Sequence, residues 1–354
     1  MRSLLAITVL IGHAPFGPVF VGGKLAVQIF YMISGFLIAH AIRHNPAYAD
    51  PWAFWANRAL RIYPIYFGVL LLTLVYVGQV DRTIFDFYPG LPTAAQVLLA
   101  VSNVTIVGQD WVMFSGVADG HLAFFTNFRT STPQLWNGLL VPQAWTLGVE
   151  LMFYALAPFV LRNAKLMCAL IVLSCAVRFV TMKLVFGWED PWTYRFFPSE
   201  LALFLLGALS NRWLLPFWKS SIKNVSSTVW PTLATVTLIA VCLFYRDIPA
   251  DTFVRTGLLL GLCATLLPLS FIFQQTSRVD RYIGELSYPI YIAHMLVVWV
   301  TAAGLLRLGI EMGALPQTLI VIVATLLLSH ALNVVIASPI ERLRARIRSA
   351  PAAA

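Results

Sequence analysis

The sequence predicts an all-α, polytopic transmembrane helical bundle of about ten spanning helices, with both termini on the cytoplasmic side. Three observations predict it. The 354 residues are 59% hydrophobic and only 11% charged, with a mean hydropathy of +0.80, more apolar surface than a soluble globule of this length could hide. The apolar residues come in repeated blocks near the ~20 residues that a spanning helix requires. Basic residues gather at alternate block ends, as the positive-inside rule demands.

The blocks lie at 3–20, 25–42, 62–80, 144–161, 166–186, 196–211, 228–245, 254–273, 286–306 and 317–337. With the N-terminus inside, fifteen of the 24 basic residues fall on the cytoplasmic side, among them Lys223 and the run Arg342, Arg344, Arg346 and Arg348. Eight fall outside, and Arg178 lies within a block. A further apolar stretch at 93–107 holds Gln96, Ser102 and Asn103, and counting it as a span would flip every later loop against the charge rule. Residues 81–143 are therefore read as one long extracytoplasmic segment with a re-entrant or interfacial stretch. The chain is one domain, 1–348, with a short flexible tail at 349–354.

Several classes are excluded. The four cysteines lie inside apolar blocks without metal or redox spacing, so packing roles and no metal site are expected. The net charge of +9 is scattered at block ends and forms no nucleic-acid patch. Cleavage of 1–20 as a signal peptide would delete His13, and no A-x-A site follows. No internal repeat stands out, as an inverted-repeat transporter would show.

Four constellations could carry chemistry. Arg2 and His13 are eleven positions apart, and eleven steps of about 100° return to nearly the same helix face roughly 16 Å further along. An imidazole near mid-bilayer can take a proton from a hydroxyl and return it; its alternative is helix packing. Glu150, in Trp145-Thr146-Leu147-Gly148-Val149-Glu150, falls ~10 Å below the outer surface of a ~30 Å core. A carboxylate there needs a partner, for which His13 and Arg178 are the candidates, the latter as a purely structural pair. Tyr288, Tyr291 and His294 open the ninth block, the tyrosines also fitting interfacial anchors. Arg58 and Arg61 put two guanidiniums on adjacent turns, a phosphate clamp or an ordinary positive-inside anchor.

In order along the chain these segments resemble the acyltransferase-3 family of integral membrane O-acyltransferases. The resemblance is carried by Arg2-x10-His13, Gly22-Gly23 with FYMISGFLI at 30–38, RALRIYPIY at 58–66, WTLGVELMFYALAP at 145–158, RFFPSELALFLLGAL at 195–209 and YIGELSYPIYIAH at 282–294. It implies a ten-helix bundle in the bacterial inner membrane. The activity implied moves an acyl, most often acetyl, group from cytoplasmic acyl-CoA to a hydroxyl of a cell-surface glycan, a lipid-linked sugar or a small molecule. By resemblance His13 is the essential histidine and general base, Arg2 its partner and Glu150 the glutamate after the W-[ST] motif. Arg58 and Arg61 are the basic element for the CoA phosphates, with Tyr288 and His294 in the conserved tail motif on the cofactor side. The sequence departs from the pattern in starting one residue before Arg2, where members usually begin a turn or more earlier. It also carries no SGNH-type segment after the Arg-rich tail, so transfer is expected to finish within the membrane domain.

The rival reading is a proton-coupled transporter or flippase for a sugar or lipid, with His13, Glu150 and Arg178 as proton relay. A non-catalytic scaffold would not need so many buried polar residues. Direct transfer and an acyl-His13 intermediate both remain open, as do the acceptor, the acyl chain length and the oligomeric state.

Overall fold

The computed structural model describes residues 1–17, 20–222 and 228–349; Lys223 and all but the first residue of the expected tail at 349–354 lie outside them. The chain begins with helices α1 (Arg2–His13), α2 (Gly22–His44) and α3 (Pro51–Gln79). After an irregular outer segment come α7 (Trp145–Val160), α8 (Ala164–Phe179), α9 (Phe197–Leu209), α10 (Leu215–Ser221) and α11 (Val229–Leu243). The rest is α12 (Thr252–Thr276), α13 (Arg278–Arg307), α14 (Ala314–Leu332) and α15 (Ser338–Ser349). Local sequence sets many of the starts. Asp50 caps α3 through the amides of Trp52 and Ala53, with Pro51 at its first position, while Asn163, Asp251 and Ser277 cap α8, α12 and α13.

Each of the ten apolar blocks falls on a helix, and seven helices are long and apolar enough to cross a membrane: Gly22–His44, Pro51–Gln79, Ala164–Val185, Phe197–Ser221, Thr252–Gln275, Arg278–Arg307 and Ala314–Ser349. Their outward faces carry Val172, Leu173, Phe253 and Val335, each about half exposed or more, the contiguous apolar surface that a bilayer covers. The protein is a multi-pass membrane protein. Helices α1, α7 and α11 are shorter, at 12, 16 and 15 residues.

One expectation is corrected. The first block does not run from 3 to 20: Pro15 forces Ala14 into extended backbone (φ −82°, ψ 159°), and α1 stops at His13 after about 18 Å. His13 is therefore a helix terminus and is exposed. Residues 81–143 hold short helices α4 (Thr83–Phe87), α5 (Thr93–Thr105) and α6 (Gln109–Val112), then a hairpin of β1 (Ser115–Ala118) and β2 (His121–Phe124). The hairpin is the sheet found among the described residues, two strands of four residues in an otherwise helical chain. Its turn is Asp119-Gly120, both at positive φ (50° and 75°), a dipeptide that favours this geometry.

The core joins Leu5, Ala6 and Leu10 of α1, Met32 and Phe36 of α2, Tyr66 of α3, Phe153 of α7, Phe204 of α9 and Ile292 of α13. Helix α1 is enclosed by α2 and α13, and α2 lies along α9. That last contact is backbone to backbone: a Cβ on Gly35 would strike the carbonyl of Phe204, and one on Gly207 that of Met32. Small residues let membrane helices approach this closely.

Candidate active site

Helices α1, α2, α3, α7 and α13 surround two cavities stacked along their axes. The first, about 260 Å³, is lined by Arg2, Arg58, Arg61, Glu150, Tyr154 and Tyr288, with Ser34 and Tyr31 of α2. The second, about 410 Å³, is lined by His13, Lys24, Arg129, Gln143, Arg195 and an aromatic wall of Phe128, Trp136, Trp145 and Tyr194. Val27 and Tyr291 line both. The stacking is visible residue by residue: α2 gives Gly23 and Lys24 to one cavity and Ser34 and Leu37 to the other, and α7 gives Trp145 to one and Glu150 to the other.

Five of the seven site residues expected from the sequence thus line the arginine-rich cavity: Arg2, Arg58, Arg61, Glu150 and Tyr288. Among the described residues neither Arg2 nor Arg61 makes a hydrogen bond or ion pair, and Arg58 donates to Asn57 Oδ1 at 3.2 Å. Three guanidiniums with donors to spare around a void form a setting for phosphate. Tyr288 is no interfacial anchor, since its half-buried side chain donates to the carbonyl of Ile62 at 2.8 Å.

Glu150 finds neither expected partner. It accepts from Ser34 and, at 2.7 Å, from the hydroxyl of Tyr154. Arg178 instead pairs with Glu200, a fully buried carboxylate that also accepts from Gln28 at 3.1 Å. Gln28 in turn donates to the carbonyl of Thr193 at 3.2 Å. The Glu150–Arg178 pair weighed from the sequence does not form; the Arg178–Glu200 pair joins α8 to α9, and Arg178 lines neither cavity.

The remaining two, His13 and His294, meet in a layer beside the second cavity, which His13 lines with Val9 and Gly12, their rings 5.1 Å apart. His13 Nδ1 lies 2.8 Å from the carbonyl of Val9, and His294 Nδ1 lies 2.7 Å from that of Tyr291. A carbonyl only accepts, so each neutral ring carries its proton on Nδ1 and a lone pair on Nε2. Among the described residues, Nε2 of the fully buried His294 has no hydrogen-bond partner. The layer is held by the hydroxyls of Tyr291 and Thr146, 3.0 Å apart, both on the carbonyl of Gln143, whose amide donates to Ile292 at 2.6 Å.

Sequence reasoning missed Ser34, Tyr154, Gln143 and the aromatic wall. Arg195, buried, stacks 4.1 Å from the Trp145 ring centre and 4.6 Å from that of Tyr194, and binds Asp190 through two nitrogens. Trp145 and Arg195 each open a recognised motif, which was the available signal.

Comparison with known proteins adds the following. Residues 1–334 match the acyltransferase domain of the acyltransferase-3 family. The chain is similar to a candidate peptidoglycan O-acetyltransferase of Bacillus subtilis strain 168, 25% identical over 305 residues, covering 78% of this chain and 44% of that protein. It is similar to the peptidoglycan O-acetyltransferase of Listeria monocytogenes, 22% identical over 325 residues, covering 85% and 49%. Nodulation protein 10 of Rhizobium leguminosarum biovar viciae is 27% identical over 298 residues, covering 77% and 71%. The chain spans about half the length of the first two. No solved structure matches significantly.

Proposed function

The chain belongs to the acyltransferase-3 family, and from that membership we propose that it is an O-acyltransferase of the bacterial inner membrane. It moves an acyl group, acetyl in the simplest case, from cytoplasmic acyl-CoA to a hydroxyl of a cell-surface glycan or a related sugar. The observation that carries this reading is the stacking of the two cavities, which share Val27 and Tyr291 as a common wall, with His13 lining the second. The arginine-rich cavity suits the phosphates and arm of the donor, and faces the cytoplasm. The other, walled by aromatic rings with a few polar groups, suits a sugar.

His13 Nε2 takes the proton of the acceptor hydroxyl as its oxygen forms a bond to the thioester carbonyl carbon. The carbon–sulfur bond breaks, and the departing thiolate takes the proton from the imidazolium, giving an ester and free CoA thiol. Tyr291 and Thr146 fix the height at which the thioester carbon meets His13. Glu150 offsets part of the charge of Arg2, Arg58 and Arg61, leaving the rest for phosphate, and Ser34 and Tyr154 hold it there.

With labelled acetyl-CoA and a glycan acceptor, His13→Ala is expected to lower transfer at least about a hundredfold while the unfolding temperature stays near that of the wild type. Retained transfer would sink the assignment. Passage of a sugar or lipid across vesicles without consumption of acetyl-CoA would favour the transporter reading instead.

A further inference from the structure

Helix α15 lies beyond residue 334, where the family match ends, and it is fixed to the arginine-rich cavity. Asn57, fully buried on α3, donates to the carbonyl of Arg344 at 3.2 Å and accepts from its Nη2 at 3.2 Å. The same Asn57 oxygen accepts from Arg58. The last helix is thereby tied to the residue preceding the R-x-x-R element.

Between α3, α13 and α15 lies another cavity, about 340 Å³, which shares Arg61 and Tyr288 with the arginine-rich one. Arg344 and Arg348 form its further wall, both engaged by the Glu341 carboxylate, Arg348 at 2.6 Å. A topological anchor needs its charge in water. Arg344 is only 7% exposed, and its Nε has no hydrogen-bond partner among the described residues.

We propose that this cavity binds the 3′-phosphorylated adenosine end of acyl-CoA, with Arg344 and Arg348 on that phosphate, while the diphosphate and pantetheine arm pass Arg61 and Tyr288 into the neighbouring arginine-rich cavity. The inference rests on the acyl-CoA reading above. A single elongated donor, anionic at one end and slender at the other, accounts for two voids that share a wall, and planar guanidiniums suit phosphate bidentately. Glu341 holds both arginines in place and competes with the phosphate. An anionic lipid headgroup offers the same phosphate chemistry, so the test separates the two.

The test measures steady-state transfer by the full chain in detergent, with acetyl-CoA and with acetyl-phosphopantetheine, which lacks the nucleotide. Arg348→Ala is expected to raise KM for acetyl-CoA about tenfold, the loss of one charge-assisted contact. KM for acetyl-phosphopantetheine and the two kcat values should not follow. Glu341→Gln should lower KM for acetyl-CoA alone. Equal effects on both donors, or a change in kcat alone, would mean that α15 is only structural and would overturn the proposal, as would an unchanged KM in both variants. An Arg348→Ala effect seen only when anionic phospholipid is added would assign the arginines to a headgroup. Wild-type protein with equal KM for the two donors would refute nucleotide recognition yet leave the acyl-CoA reading standing. If it used neither donor, that reading would fall and this one with it.

Discussion

At the scale of single residues, the two histidines are alike in one respect and opposite in another. Both direct Nδ1 to a backbone carbonyl, but His13 is exposed to a cavity and His294 is sealed from it. Only His13 can meet an incoming hydroxyl directly. Asp110, in the outer segment, is a different case: its Oδ1 is buried without a partner among the described residues, and a Cβ on Gly148 would come within 2.7 Å of it. Burial pushes its carboxyl up to about 7. The folded protein therefore keeps a proton that the unfolded chain releases near pH ~4, so stability falls as pH rises from about 4 to about 7 and then levels. Asp110→Asn removes this dependence. Thermal or chemical unfolding of both proteins should show the variant gaining on the wild type by roughly 2–3 kcal/mol between pH 5 and pH 8. The same difference at both pH values would show that the carboxyl is not forced to hold its proton.

At the scale of elements, the glycines of the α2–α9 crossing decide how closely two long apolar helices approach. Gly207→Ala would drive a methyl into the Met32 carbonyl, and since both partners are backbone the helices must separate. A loss of about 2 kcal/mol or more in unfolding free energy is expected; by contrast Gly257→Ala, whose Cβ would meet nothing within 4 Å, should be neutral or stabilising. Equal effects of the two would contradict the close crossing. The helices themselves were legible because apolar blocks near spanning length admit few other structures; their starts, set by caps such as Asp50 and Asn163, were not read from the blocks. The end of α1 was legible too, had Pro15 been weighed against the apolar run, and Asp119-Gly120 marked the hairpin. Partner choice was not. Arg178 could have met Glu150 or Glu200, and only the packing of α8 on α9 settles that it meets Glu200. The same limit hid Ser34, which reaches Glu150 from α2, whereas Tyr154, four residues further along α7, lay within reach by helical spacing alone.

At the scale of the whole molecule, the two stacked cavities give the bundle a direction, and the proposed chemistry works only if that direction matches the membrane. The arginine-rich end, closed by α15 with Arg342, Arg344, Arg346 and Arg348, must face the cytoplasm where acyl-CoA is made available. The aromatic end, continuous with the segment that carries the hairpin, must face the acceptor. Charge asymmetry between the loops argues for this orientation, and two exposed positions test it. His121 sits in the hairpin and Arg346 on α15, both open to solvent. On intact cells a membrane-impermeant maleimide should label His121→Cys above the wild-type background, whereas Arg346→Cys should label only after permeabilisation. The reverse pattern would put the guanidinium clusters on the side away from the cytoplasmic donor. The cavities would then have to exchange roles, and the direction of acyl transfer proposed here would be wrong even if His13 proved essential.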